Sequence, residues 1–222
     1  MKAKIIGKTE VATETLQVTF ATSEPFTFKP GQYTSVNLAN SKKHFSIVNS
    51  PDEKGIITIA TRLRDSDFKK SLKELPVGTE VELGPISGSF VMPENTSKPL
   101  VFIAGGIGIT PYMSMLKYAV ERKLPYKITL LYSNRDQNSS AFLQDLKNIP
   151  NLKLILTMTD DPNWQGEKRR IDASFIKEYF PETNANLYFV VGPPVMVEAV
   201  QQALLEAGVD IENIASENFS GY

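Results

Sequence analysis

The stretch VFIAGGIGITP, Val101–Pro111, runs from an apolar, strand-like segment directly into Gly105, Gly106 and Gly108, then Thr110 and Pro111. Glycine costs conformational entropy in any ordered segment, so a chain keeps it where a side chain has no room. A helical pattern follows at once. Strand, glycine-rich turn and helix form the opening unit of an open α/β sheet, where ligands bind beyond the carboxyl ends of the strands. Such a turn can present backbone N–H groups and a helix N-terminus to an anion such as a pyrophosphate. The plainer alternative is a tight turn with no ligand. Pro111 stands where the third glycine of G-x-G-x-x-G would be. Proline suits a first helical turn, which makes Thr110 a candidate cap.

On either side of this motif the chain has different rhythms. Residues 1–90 read as short strands punctuated by turn signals: KAKIIGKTEV, TLQVTFA, QYTSVNL, KHFSIVN, IITIATR and TEVELG. One helix fits among them, from about Asp67 to Leu75, with Asp65 or Ser66 as its cap and Pro76 beyond its end. This pattern predicts a small antiparallel β-barrel. After the polar, proline-bounded MPENTSKP, apolar runs alternate with helical segments near 111–122, 141–147, 172–179 and 194–207. That alternation predicts a parallel sheet covered by helices. The expected fold is therefore two domains: an N-terminal antiparallel β-barrel over 1–95 and a C-terminal α/β parallel-sheet domain over 96–222.

Composition narrows the chemistry. Of 222 residues, 41% are hydrophobic and 22% charged, enough for a real core. Net charge is -1, which gives no electrostatic reason to expect a nucleic-acid partner. There is no cysteine, so disulfides, thiol nucleophiles and cysteine-held iron–sulfur clusters are excluded from these residues. A single histidine, His44, makes a zinc site improbable. Any redox chemistry must then rest on an organic cofactor. The N-terminal MKAKIIGKTEVATE lacks the apolar core of a signal peptide and no run is long enough to span a membrane, so the expected location is cytoplasmic.

Three further stretches bear on function. In VVGPPVMVEAV, Gly192 opens a second strand end, Pro193 and Pro194 start a helix, and Met196 falls in its first turn. Two glycine-opened strand ends in one sheet suggest one crevice, although Met196 alone reads equally well as core. In KKHFSIVNSP, Lys43 offers a charge for a phosphate, Phe45 an aromatic face, and Ser46 and Asn49 short polar groups. The plainer alternative is a barrel strand with Phe45 and Ile47 turned inward. The final ENFSGY places Tyr222, an aromatic residue, at the chain's end, where it is expected to pack on something flat.

Taken in order, over essentially the whole chain, these stretches resemble the ferredoxin–NADP reductase superfamily. That family joins an FAD-binding antiparallel barrel to an NAD(P)-binding α/β domain. GGIGITP resembles its G-G-x-G-x-T-P, GPPVM its C-G-P-x-M, KHFSIVNSP its R-x-Y-S-x-x-S, and GPISGSF (84–90) its G-P-x-G-x-F turn. The chain departs from the pattern at Lys43 for arginine, Phe45 for tyrosine and Val191 for cysteine. Ser66-Asp67-Phe68-Lys69 stands in place of G-x-x-S.

The resemblance implies an NAD(P)H-dependent flavin oxidoreductase with FAD rather than FMN as cofactor. Lys43 would meet the flavin phosphates, joined by the start of the 67–75 helix with Lys69 or Ser71. Phe45 would lie against the isoalloxazine and Ser46 near its N5, with His44, Thr61 and Phe68 completing the flavin contacts. Tyr222 would cover the flavin face that nicotinamide must reach. Ser46 and Tyr222 are thus the implied catalytic pair. Gly106, Gly108 and Thr110 would line the nicotinamide nucleotide, and Gly192 and Met196 would close its site. Ser133 and Arg135 resemble the family's grip on a 2′-phosphate, favouring NADPH over NADH, with Lys168–Arg170 as a possible aid. The alternative for Arg135 is a solvated loop in which it pairs with Asp136 or Asp145.

Electrons would pass to a separate acceptor. Lys42, Lys43, Arg62, Arg64, Lys69 and Lys70 suggest a basic rim for an acidic ferredoxin or flavodoxin. Two alternatives stand beside this reading: a reductase that uses free flavin as substrate, and a non-catalytic electron-transfer subunit.

Overall fold

The computed structural model describes residues 1–38, 40–94 and 97–219. They form two compact units. The first holds Met1–Met92 together with the segment Thr110–Lys123. Its sheet has six antiparallel strands: β1 (Lys2–Ala12), β2 (Thr15–Thr22), β3 (Tyr33–Leu38), β4 (Ser41–Ser46), β5 (Ile56–Arg62) and β6 (Glu80–Leu83), in the order β4-β3-β6-β1-β2-β5. Alternation along these strands turns Ile5, Val18, Phe20, Val36, Ile57 and Ile59 into one dry core.

β4 begins and ends earlier than its sequence suggests. At Ile47 the chain changes partners: Ile47 N–H donates to Gln32 O at 2.9 Å, and Val48 N–H donates to Thr58 O at 2.8 Å. The segment thus leaves β3 and turns toward β5. Asn49 completes the corner. Its Oδ1 accepts from Thr58 N at 2.8 Å and its Nδ2 donates to Ile56 O at 2.9 Å. The Asn49 amide is fully engaged in closing the sheet, so it is a structural group and not a ligand contact.

Helix α1 (Asp67–Glu74) follows β5. Ser66 is its cap, accepting from Lys69 N, with Asp67 in the first turn and Lys73 in the last, all in the sense the helix dipole favours. Phe68 and Leu72, one turn apart, anchor it in the core. Helix α2 (Thr110–Glu121) shares its contacts with this first unit. Ser114 Oγ donates to Asn49 O at 2.8 Å, and Arg122 forks onto Asp52 with two bonds of 2.6 Å.

The second unit holds five parallel strands: β7 (Leu100–Gly105), β8 (Ile128–Asn134), β9 (Lys153–Met158), β10 (Leu187–Gly192) and β11 (Ile214–Asn218), in the order β11-β10-β7-β8-β9. Helices α3 (Leu143–Lys147), α4 (Ala173–Tyr179) and α5 (Pro194–Glu206) join them. α4 and α5 cover one face over Val101, Ile103, Leu131, Tyr188 and Val190. α3 starts two residues later than expected because Phe142 adopts φ 59°, a left-handed conformation that the helix cannot include. β11 is the one strand absent from the sequence reading. IASEN lies at the sheet's edge and alternates too little to stand out.

The strand order carries a functional consequence. From β7 the chain winds one way through β8 and β9, then returns and winds the other way through β10 and β11. β7 and β10 are neighbours, so the reversal falls between them. That is the crevice where open α/β sheets bind ligands. No helix among the described residues is long and apolar enough to cross a membrane.

Candidate functional site

The two glycine-bearing strand ends meet at this crevice. Val191 lies opposite Ala104 in register, which sets Gly192 beside Gly105. The glycines are needed for three different reasons. A Cβ on Gly105 would collide with the Met196 sulfur and with Pro193. A Cβ on Gly108 would lie 2.5 Å from Val191 O. At these two positions the tight packing of β7's turn on the Val191–Met196 segment already requires glycine. Gly106 differs: its φ is +53° and nothing lies within 4 Å of a Cβ placed there. It faces open space in a conformation that side chains disfavour. Gly106 is therefore the position of the three with room for a ligand's backbone approach.

Gly106–Ile109 form a 3-10 turn that winds directly into α2. Thr110 is therefore the first residue of the helix, 1% exposed, and not the cap that the sequence suggested. A cap needs extended backbone, and the continuous turn leaves none. Tyr132 Oη donates to Gly106 O at 3.1 Å and to Ala141 O at 3.3 Å, tying the turn to the next strand. Met196 packs against the apolar cluster beneath α5 while its sulfur fills the space above Gly105. It serves as core and as crevice wall at once.

Ser133 and Arg135 lie at the end of β8, half-buried and exposed respectively. Arg135 makes no ion pair with a described carboxylate. Asp136, its suspected partner, instead accepts from Ser139 N at 2.8 Å and shapes its own turn. The basic triplet Lys168–Arg170 is differently placed. Arg169 is forked onto Glu167 and reaches Glu178 at 2.9 Å, and this pairing holds the Glu167 carboxyl at about 2. Lys168 donates to Pro162 O. Arg169 is committed to a local network and does not serve a phosphate grip.

Glu217, which sequence reasoning passed over, sits on β11 opposite Val191. Its Oε2 is buried with no hydrogen-bond partner among the described residues, and burial pushes the carboxyl up to about 7. The next strand position, Asn218, faces Gly192, and Phe219 N–H donates to Gly192 O at 2.9 Å. The sequence held little signal for it, because IASEN does not stand out as a strand. The burial that raises its pKa comes from the tertiary structure. Tyr222 lies outside the described residues.

In the first unit, the proposed flavin residues divide between the two faces of β4. Lys43 and Phe45 point one way, His44 and Ser46 the other. Phe45 is 8% exposed and its ring stacks on Phe68 at 5.7 Å. His44 is exposed and meets Tyr33 edge-on at 5.5 Å. Ser46 is buried at the strand's end, where the chain turns its corner. Thr61 is buried on β5, on the face shared with Ile57 and Ile59.

The most informative group is Lys69. It is 5% exposed, yet no described carboxylate pairs with it. Burial, then Arg64, then Lys43 lower its pKa from 10.5 to about 8. Lys69 lines a cavity of about 480 Å³ with Glu14, Leu63, Arg64, Asp65, Lys70 and Lys73. Lys70 is held by Asp65 at 2.6 Å, and Ser71 is not among the lining residues. A buried ammonium at the first turn of a capped helix, with Arg64 and Lys43 acting on it and no described carboxylate paired to it, can accept an anion. The phosphates of a flavin nucleotide fit that chemistry.

Comparison with known proteins gives the family. Residues 102–202 match the family model for an oxidoreductase NAD-binding domain. The chain is 30% identical over 200 residues to sulfhydrogenase 1 subunit gamma of Pyrococcus furiosus, covering 86% of this chain and 68% of that one. It is 27% identical over 206 residues to the reductase component of phenol 2-monooxygenase of a Pseudomonas species, covering 88% and 58%. Among solved structures, a ferredoxin NADP+ reductase from Neisseria gonorrhoeae with bound FAD and NADP superposes with a TM-score of 0.87 at 20% identity, covering 100% of this chain and 98% of that one. The FAD/NAD-binding domain of a Vibrio cholerae nitric oxide dioxygenase gives 0.88 at 18%, with 98% of each covered. The last two likenesses concern the fold.

An antiparallel flavin-type barrel followed by a parallel nucleotide-binding sheet defines the class: flavin- and pyridine-nucleotide-dependent oxidoreductases. This chain belongs to the ferredoxin–NADP reductase superfamily. It spans about half to two-thirds of the length of the curated relatives it matches.

Proposed function

We propose that this chain oxidises NADPH by way of bound FAD and delivers the electrons to a separate acceptor protein. The observation that carries the flavin part is Lys69, a buried ammonium that pairs with no described carboxylate and lines a cavity beside Arg64 and Lys73. A bound flavin supplies the hydride acceptance and electron release. The chain's own residues do the rest. Lys69, Lys43 and the N–H groups opening α1 hold the phosphates. Phe45 and Phe68 give the ring an apolar bed, with His44 and Thr61 at its margins. The Ser46 hydroxyl offers a hydrogen bond where the flavin is reduced.

In the second unit, Gly106 and Gly108 seat the pyridine nucleotide, with Thr110 following them as the first residue of α2. Gly192 and Met196 bound its nicotinamide end. The Glu217 carboxyl, raised to about 7 by burial, titrates near neutrality on the strand next to Val191. Ser133 and Arg135, which pairs with no described carboxylate, grip a 2′-phosphate, which favours NADPH, since a planar guanidinium binds phosphate through paired bonds. We assign residues 1–95 to flavin binding and 96–222 to nucleotide binding.

The acceptor is proposed to be an acidic carrier such as a ferredoxin or flavodoxin. The exposed cations are fewer than the sequence suggested, because Lys69 is interior and Lys70 is matched by Asp65. Lys42 and Arg64 remain exposed. Charge reversal at both should slow reduction of an acidic carrier and flatten its salt dependence; unchanged rates would remove the carrier proposal.

A second reading is favoured by the likeness to a sulfhydrogenase gamma subunit: an electron-transfer subunit within a larger complex. One experiment separates the main possibilities. The purified protein is titrated anaerobically with NADPH and, separately, NADH while its visible spectrum is followed. Rapid bleaching of flavin bands by NADPH supports the proposal. Flavin that is lost on gel filtration but reduced when added back indicates a free-flavin reductase. A colourless protein that neither binds nor reduces FAD refutes the flavin assignment.

A further inference from the structure

Lys8 is an anomaly in β1. A β-bulge between Ile5 and Gly7 resets the strand's alternation, and Lys8 then pairs with Val18, a wholly buried core residue. Residues directly opposed in a sheet share a face, so this lysine is turned to the core side. Its ammonium finds no carboxylate there among the described residues. It donates instead to three carbonyl oxygens at the end of α1: Leu72 O at 2.7 Å, Lys73 O at 3.0 Å, and Leu75 O. The last four carbonyls of any helix have no partner within it, and Lys8 satisfies two of them and the capping residue's as well. It also sets a positive charge at the negative end of the helix dipole.

α1 has only eight residues, too few to be stable alone. Phe68 and Leu72 hold its side, and Lys8 holds its end. Its other end carries the Ser66 cap and the buried Lys69. The chain therefore fastens the helix at the terminus opposite to the one that meets the anion.

We propose that Lys8 is a positioning residue for flavin binding: by clamping the C-terminus of α1 it keeps the N-terminal turn, with Lys69, formed before the flavin phosphates arrive. The inference rests on the flavin reading above. A bond made far from the ligand lowers the apparent Kd through the fraction of molecules in which the turn is already in place. Lys8 is not among the residues that line the cavity at Lys69, and its effect is confined to ligands that reach α1.

The test compares FAD with riboflavin, which has the same ring but no phosphate, on the full chain by fluorescence quenching. For Lys8→Met the expected Kd for FAD rises about tenfold, the order of a lost helix-end cation with its hydrogen bonds. The Kd for riboflavin stays within twofold. Lys8→Arg, which keeps charge and donors, restores FAD binding. Amide exchange at Lys69 and Lys70 accelerates in Lys8→Met. An unchanged FAD Kd in that variant overturns the proposal, as does an equal loss for FAD and riboflavin, which marks general loosening. If Lys8→Met does not fold, Lys8→Gln is put through the same comparison under the same criteria. A wild-type chain that binds no FAD refutes the flavin reading itself, whereas wild-type binding with no Lys8 effect refutes this inference alone.

Discussion

Replacing Lys69 with methionine should have opposite effects on the empty protein and on its flavin complex. In the empty protein the ammonium is buried among cations, and its pKa falls from 10.5 to about 8. A displacement of that size corresponds to roughly 3 kcal/mol of unfavourable charge at most. Solvent at the cavity mouth screens part of it, leaving about 1–2 kcal/mol. The sign follows from the direction. The folded-state pKa is below the unfolded one, so the penalty is fully present below about pH 8 and fades as pH rises toward 10.5. Lys69→Met should therefore stabilise the empty protein at pH 7, and the gain should vanish near pH 10. With FAD bound, the same change removes a charge-assisted hydrogen bond of about 2 kcal/mol, near 30-fold in Kd.

FAD binding should also take up a proton at pH 9, as the phosphates restore the ammonium. Urea denaturation at pH 7 and pH 10 reads the first effect. Calorimetric titration with FAD in two buffers of different ionisation enthalpy reads the second and third. A variant that is less stable than wild type at pH 7, or one that binds FAD within threefold of wild type, would refute the reasoning.

Arg135→Ala should lower kcat/KM for NADPH by 10- to 100-fold and leave NADH within about twofold, by loss of a charged phosphate contact; steady-state kinetics with both coenzymes checks it. Gly108→Ala puts a methyl group 2.5 Å from Val191 O, so the two strand ends must part. About 1–3 kcal/mol of stability should be lost together with pyridine-nucleotide affinity, as read by urea midpoints and coenzyme titration. For Glu217 the folded-state pKa of about 7 lies above the unfolded value near 4.5, so its proton favours the folded state only at acid pH and stability falls as pH rises from 4.5 to 7. Glu217→Gln should match wild type near pH 4 and exceed it at pH 8; equal midpoints at both pH values would contradict the buried-carboxyl account.

Much of this protein is set by local sequence. The two rhythms of apolar residues fix an antiparallel sheet and a parallel one, because side-chain periodicity and turn residues act over a few positions. The cap at Ser66, the helices opened by Thr110-Pro111 and Pro193-Pro194, and the glycine-bearing ends of β7 and β10 are all legible there. Which of these ends adjoin is not. Gly105 and Gly192 are 87 positions apart, and only the strand order sets them side by side at the reversal between β7 and β10.

The tertiary structure also divides residues that look alike in the sequence. Gly105 and Gly108 answer to Met196 and Val191, while Gly106 faces open space. Arg169 is captured by Glu167 and Glu178, and Arg135 is not. Lys69 and Lys70 are neighbours, yet one is buried and the other pairs with Asp65 at the surface. Lys8 is one of many exposed-looking lysines until a bulge turns it onto α1. A charged side chain's role depends on what else lies within a few ångströms, and those neighbours are distant in sequence. The sequence by itself determined which backbone could form. The burial of Lys69 and Glu217, and so the chemistry available at each, was decided only when the chain folded.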